Sequence, residues 1–248
     1  ALDDGPDEGI VLAPVTPGNA SLPEKMLVFI PGGNVPNHHY VATARAIQAG
    51  AAQLRLWVVI PAVFKRLCII SCAAAIACAP LHQAVETTLA AAAAQGWRRN
   101  DDSQHTWLAG HSLGGVCANT LFQAYATRAA YASGSSLPYA GLIVMGSYPD
   151  ESGDYDLTHF PRPVLMLNGE LDGGMARPGK TALWWRQHAA LVAAAGEEAA
   201  VLNKPVVVLP KVNHSDFCPG FDVPGDLPAE VDQATATATI GGVVAAFL

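Results

Sequence analysis

The stretch Thr106–Gln123, TWLAGHSLGGVCANTLFQ, decides how this chain reads. An apolar run ends at Gly110, a serine stands between small residues at Ser112, and an apolar helical pattern begins at once with Leu113. A serine at so sharp a strand-to-helix junction occupies a strained backbone conformation. Gly110 and Gly114, two residues before and two after, let strand and helix approach without side-chain clash. The bland reading is a glycine-rich turn whose serine caps a helix. The apolar strand before it and the long helix after it favour a Gly-x-Ser-x-Gly elbow that presents a nucleophile. The backbone N–H of Leu113 would then point where the serine oxygen points, beside a helix N-terminus, as one oxyanion donor.

A serine hydroxyl is a weak nucleophile without a base beside it. On a strand–elbow–helix scaffold the partners follow in the order Ser, acid, His. Of the eight histidines, only His188 and His214 come after the acid candidates. His188 sits in the helical stretch LWWRQHAAL, whereas His214 follows the apolar run PVVVLP in the loop KVNHSDF, which is the expected place for the base. The acid comes from RPVLMLNGELDGGM, where Asp172 is preferred and Glu170 is the neighbouring competitor. Asp150, Asp154 and Asp156 are reserves that read more simply as a solvated acidic loop. The second oxyanion donor is expected in FIPGGNVPNHHY, where Gly33 or Asn34 would supply a backbone N–H and Gly32 and Gly33 permit close approach. His38 and His39 are adjacent and so point to different sides, which argues against a metal site. No metal or cofactor is expected.

Working outward, six short apolar runs read as strands: Met26–Ile30, Leu54–Ile60, Thr106–Ala109, Gly141–Met145, Val164–Leu167 and Val206–Leu209. Each is apolar on both faces, as in a parallel sheet covered on both sides. Helical patterns lie between and after them at Tyr40–Ala49, Leu81–Ala94, Leu113–Ala129, Thr181–Ala195 and Ala229–Phe247. The alternation predicts one α/β domain, a doubly wound, mostly parallel sheet with helices on both faces. The first 25 residues are rich in Pro, Gly and acids and read as a surface arm or edge strand. The segment between Met145 and Val164 is short and has no apolar helical period, so a lid there is small or absent.

The chain has 248 residues, 51% of them hydrophobic and 14% charged, with a net charge of −7. A core of good size can be buried, and the acidic balance argues against nucleic acid as a partner. The most apolar window, Leu67–Ala79, is too short to span a bilayer, which leaves peripheral membrane contact open. Its neighbourhood, residues 62–79, reads either as buried core or as one wall of an apolar substrate pocket. Among five cysteines, Cys117 reads as a small apolar packing residue. A disulfide is expected, if anywhere, among Cys68, Cys72, Cys78 and Cys218. The sequon at Asn19 is weak evidence of secretion. The chain begins with Ala1, and a chloroplast or a secreted destination after removal of a targeting segment both stay open.

FIPGGN, GHSLGG, NGELDG and NHSDF, in this order and each after a strand, resemble the stations of the α/β-hydrolase superfamily, and GHSLGG is similar to lipases and esterases. The resemblance implies a serine hydrolase with a Ser112–Asp172–His214 triad, an acyl-enzyme intermediate, a small lipophilic ester as substrate and no cofactor. The lidless site with an apolar rim also resembles chlorophyllases, which cleave the phytyl ester of chlorophyll. A lipase or carboxylesterase, or a thioesterase or acyltransferase on the same scaffold, is the alternative. A non-catalytic lipid-binding module fits least, because all three triad residues are present.

Overall fold

The computed structural model describes residues 8–15, 21–68, 78–98, 102–131, 138–148, 157–176 and 178–248. Seven strands form one sheet in the order β1-β3-β2-β4-β5-β6-β7. They are β1 (Ile10–Leu12), β2 (Glu24–Ile30), β3 (Arg55–Ile60), β4 (Thr106–His111), β5 (Gly141–Met145), β6 (Val164–Leu171) and β7 (Val206–Asn213). All neighbours pair in parallel except β1, which lies antiparallel on the edge against β3. Of the first 25 residues, Ile10–Leu12 form this edge strand and Glu24 and Lys25 begin β2. The helices are α1 (Val41–Gly50), α2 (Ala79–Ala94), the single turn α3 (Asp102–His105), α4 (Leu113–Tyr131), α5 (Pro178–Ala195), α6 (Glu197–Asn203) and α7 (Gln233–Phe247).

The strands are apolar on both faces because each face feeds a separate core. On β2, Met26, Val28 and Ile30 face one core, while Leu27 and Phe29 face the other. The first core packs under Val85 and Leu89 of α2, Leu121 and Phe122 of α4, and Trp184 of α5. The second packs under Ile47 of α1 and Ile240 and Val244 of α7. Helices α1 and α7 touch closely: a Cβ on Gly241 would fall 2.6 Å from the Ala46 backbone. This is the mostly parallel sheet, layered on both faces, that the alternation of apolar runs predicts.

The strands that deliver functional residues run past their apolar stretches. Strand β4 continues to His111, β6 to Leu171 and β7 to Asn213. The extension of β6 is possible because its ladder with β7 continues beyond the apolar run, pairing Gly169 with Leu209 and, across an irregularity, Leu171 with Asn213. Helix α7 starts four residues later than its apolar pattern, at the N-cap Asp232, whose side chain accepts the Thr235 N–H. The alanine-rich stretch after Thr181 is two helices, because Gly196 at φ 88° ends α5 and α6 begins at Glu197. The sequon at Asn19, the acids Asp150, Asp154 and Asp156, and residues 69–77 of the apolar rim lie outside the described residues. Among the described residues, no helix is long and apolar enough to cross a membrane.

Candidate active site

Ser112 stands at φ 54°, the left-handed region in which a non-glycine residue is strained. Its N–H donates to the Met145 carbonyl of β5 at 2.9 Å, and its carbonyl accepts the Gly115 N–H at 2.9 Å to open α4. Two glycines make the turn possible. A Cβ on Gly110 would lie 2.2 Å from the Gly114 carbonyl oxygen, and one on Gly114 would lie 2.3 Å from the Ile30 oxygen. No real Cβ tolerates such contacts, so strand, elbow and helix meet backbone to backbone. Gly115 has a similar role against Ser147, at 2.7 Å.

Asp172 and His214 come together from the ends of β6 and β7. Asp172 Oδ2 accepts from His214 Nδ1 at 2.8 Å, and both side chains are almost fully buried. The other carboxylate oxygen, Oδ1, accepts the Gly174 N–H at 2.8 Å. Gly146, at φ 50°, and Gly174 both lie against the His214 ring, since a Cβ on either would come within 3.1 Å of it. Glu170, the competitor, is turned away and accepts the Lys211 N–H at 3.0 Å. His188 is held on α5, its Nδ1 3.0 Å from the Lys204 carbonyl oxygen. The Ser112 hydroxyl donates to Met175 Sδ at 3.3 Å, on the loop that follows Asp172.

The loop after β2 passes directly over the elbow. A Cβ on Gly32 would fall 3.3 Å from Ser112 Cβ, and one on Gly33 would fall 3.0 Å from Leu113 Cδ2. The Gly32 N–H donates to Tyr40 Oη at 2.8 Å. Asn34 corrects the sequence reading: at φ 60° its N–H is turned to the Arg66 carbonyl, 2.8 Å away, and so is not available to an oxyanion. Among the described residues Gly33 is the one member of this trio whose N–H has no such protein acceptor. Of the oxyanion donors expected from the sequence, Gly33 and Leu113 thus stay as candidates.

Beneath the site lies a network that sequence reading missed. His111, fully buried, has its Nδ1 2.9 Å from Tyr40 Oη. The Tyr40 oxygen, which accepts from Gly32, thus links the loop after β2 to the His111 ring. The His111 ring lies 4.4 Å from the His214 ring and 5.3 Å from Phe217. Burial first, then the neighbouring His214, hold the His111 imidazole well below its ordinary pKa. The Tyr40 phenol is pushed up, chiefly by burial. The signal available in the sequence was the pattern of Tyr40 ten residues after Ile30, which has no meaning until the loop folds back.

The cysteines also depart from expectation. Cys117 is not a mere packing residue: it forms a disulfide with Cys68. Helix α4 leaves the elbow alongside the segment that follows β3, and this brings the two together. Cys78 is also disulfide-bonded, Cys72 lies outside the described residues, and Cys218 is unpaired and buried. Among the described residues no three His, Cys, Asp or Glu side chains group as a metal site. His39 instead sets its Nδ1 3.0 Å from the Pro219 carbonyl oxygen.

No protein-family model matches the chain, and no curated protein matches it. Solved structures do. A ferulic acid esterase from Streptomyces cinnamoneus aligns over 92% of this chain and 67% of its own, at 19% identity and a TM-score of 0.55. A putative dienelactone hydrolase from Klebsiella pneumoniae aligns over 98% of this chain and all of its own, at 14% identity and a TM-score of 0.55. A dienelactone hydrolase-like promiscuous phosphotriesterase from metagenomic libraries covers 98% of this chain and 99% of its own, at 14% identity and a TM-score of 0.56. With its mostly parallel seven-stranded sheet covered by helices and these matches, the chain has the α/β-hydrolase fold.

Proposed function

We propose that this chain is a serine carboxylic-ester hydrolase working through Ser112, His214 and Asp172. The observation that carries the reading is the strained Ser112 elbow together with a buried Asp172–His214 pair whose bond is 2.8 Å. With Nδ1 held by Asp172, His214 is left with Nε2 as its proton acceptor. The Ser112 hydroxyl turns from Met175 to Nε2, gives up its proton and attacks the ester carbonyl. The developing oxyanion is met by the N–H groups of Leu113 and Gly33. His214 then protonates the departing alcohol, and the acyl group stays on Ser112. Water, deprotonated by His214, attacks the acyl-enzyme and releases the acid and Ser112.

The neighbours include an esterase and a dienelactone hydrolase, which supports carbonyl chemistry on this scaffold. A lipophilic ester is supported by the apolar side chains nearby: Met175 accepts the Ser112 hydroxyl, and Leu113 and Leu67 lie against Gly33. The phytyl ester of chlorophyll is the specific substrate of this class that we put to the test.

The test uses purified protein and its Ser112→Ala and Asp172→Asn variants. Each receives a p-nitrophenyl short-chain ester and, separately, chlorophyll a in mild detergent, with chlorophyllide followed by chromatography. Ser112→Ala is expected to lower kcat by about 10⁶, and Asp172→Asn by about 10⁴. Ser112-dependent chlorophyllide release assigns the phytyl ester. Cleavage of the small ester alone assigns a general esterase. Turnover that survives Ser112→Ala, or no turnover of either ester by the wild type, overturns the reading.

A further inference from the structure

Asp226 lies twelve residues beyond His214, in the loop between β7 and α7, and its carboxylate is used on both oxygens. Oδ1 accepts the Gly173 N–H at 3.0 Å and the Leu227 N–H at 2.9 Å. Oδ2 accepts the Ser215 N–H at 2.7 Å and the Ser215 hydroxyl at 2.8 Å. Gly173 directly follows Asp172, and Ser215 directly follows His214. One carboxylate therefore spans the residue next to the acid and the residue next to the base.

From these bonds we propose that Asp226 is a positioning residue for the triad, tying the loop that carries Asp172 to the loop that carries His214; the inference rests on the hydrolase reading above. Bonds to an ionised carboxylate are shorter and stronger than neutral ones. The approach is close enough that a Cβ on Gly173 would fall 2.8 Å from the Leu227 nitrogen. The surrounding bonds lock the same arrangement. The Ser215 hydroxyl, while donating to Asp226, accepts the Val223 N–H at 2.9 Å, and Asn213 Nδ2 donates to the Leu227 carbonyl at 2.6 Å. Asp172 and His214 are carried by two different strand ends, joined directly by their own 2.8 Å bond. The β6–β7 ladder ends at the Leu171–Asn213 pair, and beyond it, without the Asp226 tie, small independent movements of the two loops would misplace Nε2 relative to Ser112. A misplacement of about 1 Å is enough to cost on the order of 10²-fold in rate. Asp226 touches none of the reacting atoms and acts only through the loops.

The experiment compares wild type with Asp226→Asn, Asp226→Ala and Ser215→Ala, with Ser112→Ala as reference. For each, kcat and KM are measured on a p-nitrophenyl short-chain ester, normalised to serine titrated by a fluorophosphonate. The rate constant of that phosphonylation and the melting temperature are recorded as well. Asp226→Asn keeps the shape but replaces an acceptor by a donor facing an N–H. It is expected to lower kcat and the phosphonylation rate by about 10- to 100-fold with KM within about twofold. Ser215→Ala removes the hydroxyl's bonds to Asp226 and to the Val223 N–H and leaves the backbone tie, so its kcat falls only a few-fold; it decides the matter if both Asp226 variants fail to fold. Unchanged kcat per titrated serine, even with a lower melting temperature, overturns the positioning role. If Ser112→Ala itself keeps turnover, the hydrolase reading fails, and that failure is told apart by the reference variant.

Discussion

Cys68 is disulfide-bonded to Cys117, and this bond joins the segment that anchors the loop after β2 to the helix that starts at the Ser112 elbow. Two residues before Cys68, the Arg66 carbonyl holds the Asn34 N–H; five residues before Cys117 stands Ser112. The loop after β2 and the start of α4 are thus tied by a covalent bond behind the elbow. Both cysteines are about 1% exposed, so a reductant reaches the bond only when the protein opens. The bond closes a span of 49 residues, for which chain-entropy arguments give on the order of 4 kcal/mol. The double variant Cys68→Ala/Cys117→Ala should lose stability on that scale in urea unfolding. A non-reducing peptide map should show the two peptides linked, and finding them separate would remove the bond and the argument built on it.

The elbow glycines set a second expectation. A methyl group at Gly114 meets the Ile30 and Pro31 carbonyl oxygens at 2.3 and 2.4 Å, and backbone on both sides has no room to yield. Gly114→Ala should destabilise the protein by about 3 kcal/mol or more, and Gly110→Ala likewise. Gly242, in the exposed face of α7, has nothing within 4 Å of its would-be Cβ. There the same substitution should stabilise by about 0.4–1 kcal/mol through the unfolded chain. Equal effects at Gly114 and Gly242, measured by thermal melts, would contradict the close-packed elbow.

Cys218 gives a chemical test of the packing beneath the site. Burial, followed by the nearby Asp226, pushes its thiol up to about 12. The thiolate is the reactive form, and Cys218 is fully enclosed. At pH 8 in native buffer, iodoacetamide should leave the Cys218 peptide unmodified for hours, and in denaturant it should label that peptide within minutes. Rapid native labelling, read by mass spectrometry, would show that the floor under Tyr40 opens.

Much of this arrangement was legible in the sequence for physical reasons. Apolar runs marked the strands because both faces of this parallel sheet are buried. Gly110, Ser112 and Gly114 marked the elbow because only small residues fit where backbones touch. Asp172 and His214 were legible because each follows an apolar run in the required order. What was not legible depends on non-local return of the chain. Asn34 lost its place to Gly33 because the Arg66 carbonyl, more than thirty residues away, takes its N–H. Cys117 found Cys68 only through the crossover between β3 and β4. Strands β6 and β7 outran their apolar patterns because ladder bonds do not require apolar side chains. Asp226 sits in a polar loop, where a carboxylate carries no periodic signal.

His111 sets the last expectation, in the dependence of stability on pH. Its folded pKa lies well below the ordinary imidazole value of about 6.5, because burial and the neighbouring His214 disfavour the charged ring. The unfolded chain therefore binds a proton at this residue in a range where the folded chain does not. Stability rises with pH wherever the unfolded state holds more protons. The contribution is complete above about 6.5 and is lost progressively as pH falls toward the folded value. The geometry gives the same sign: a charged ring at this position would be fully buried, with the His214 ring 4.4 Å away. His111→Gln, which does not titrate, should be less stable than wild type at pH 7.5. Its stability should also fall less steeply between pH 6.5 and 4.5, by up to about 1.4 kcal/mol per pH unit. Urea unfolding of both proteins at four pH values across this window measures the two slopes, and equal slopes would mean that His111 takes up its proton in the folded protein as readily as in the unfolded chain.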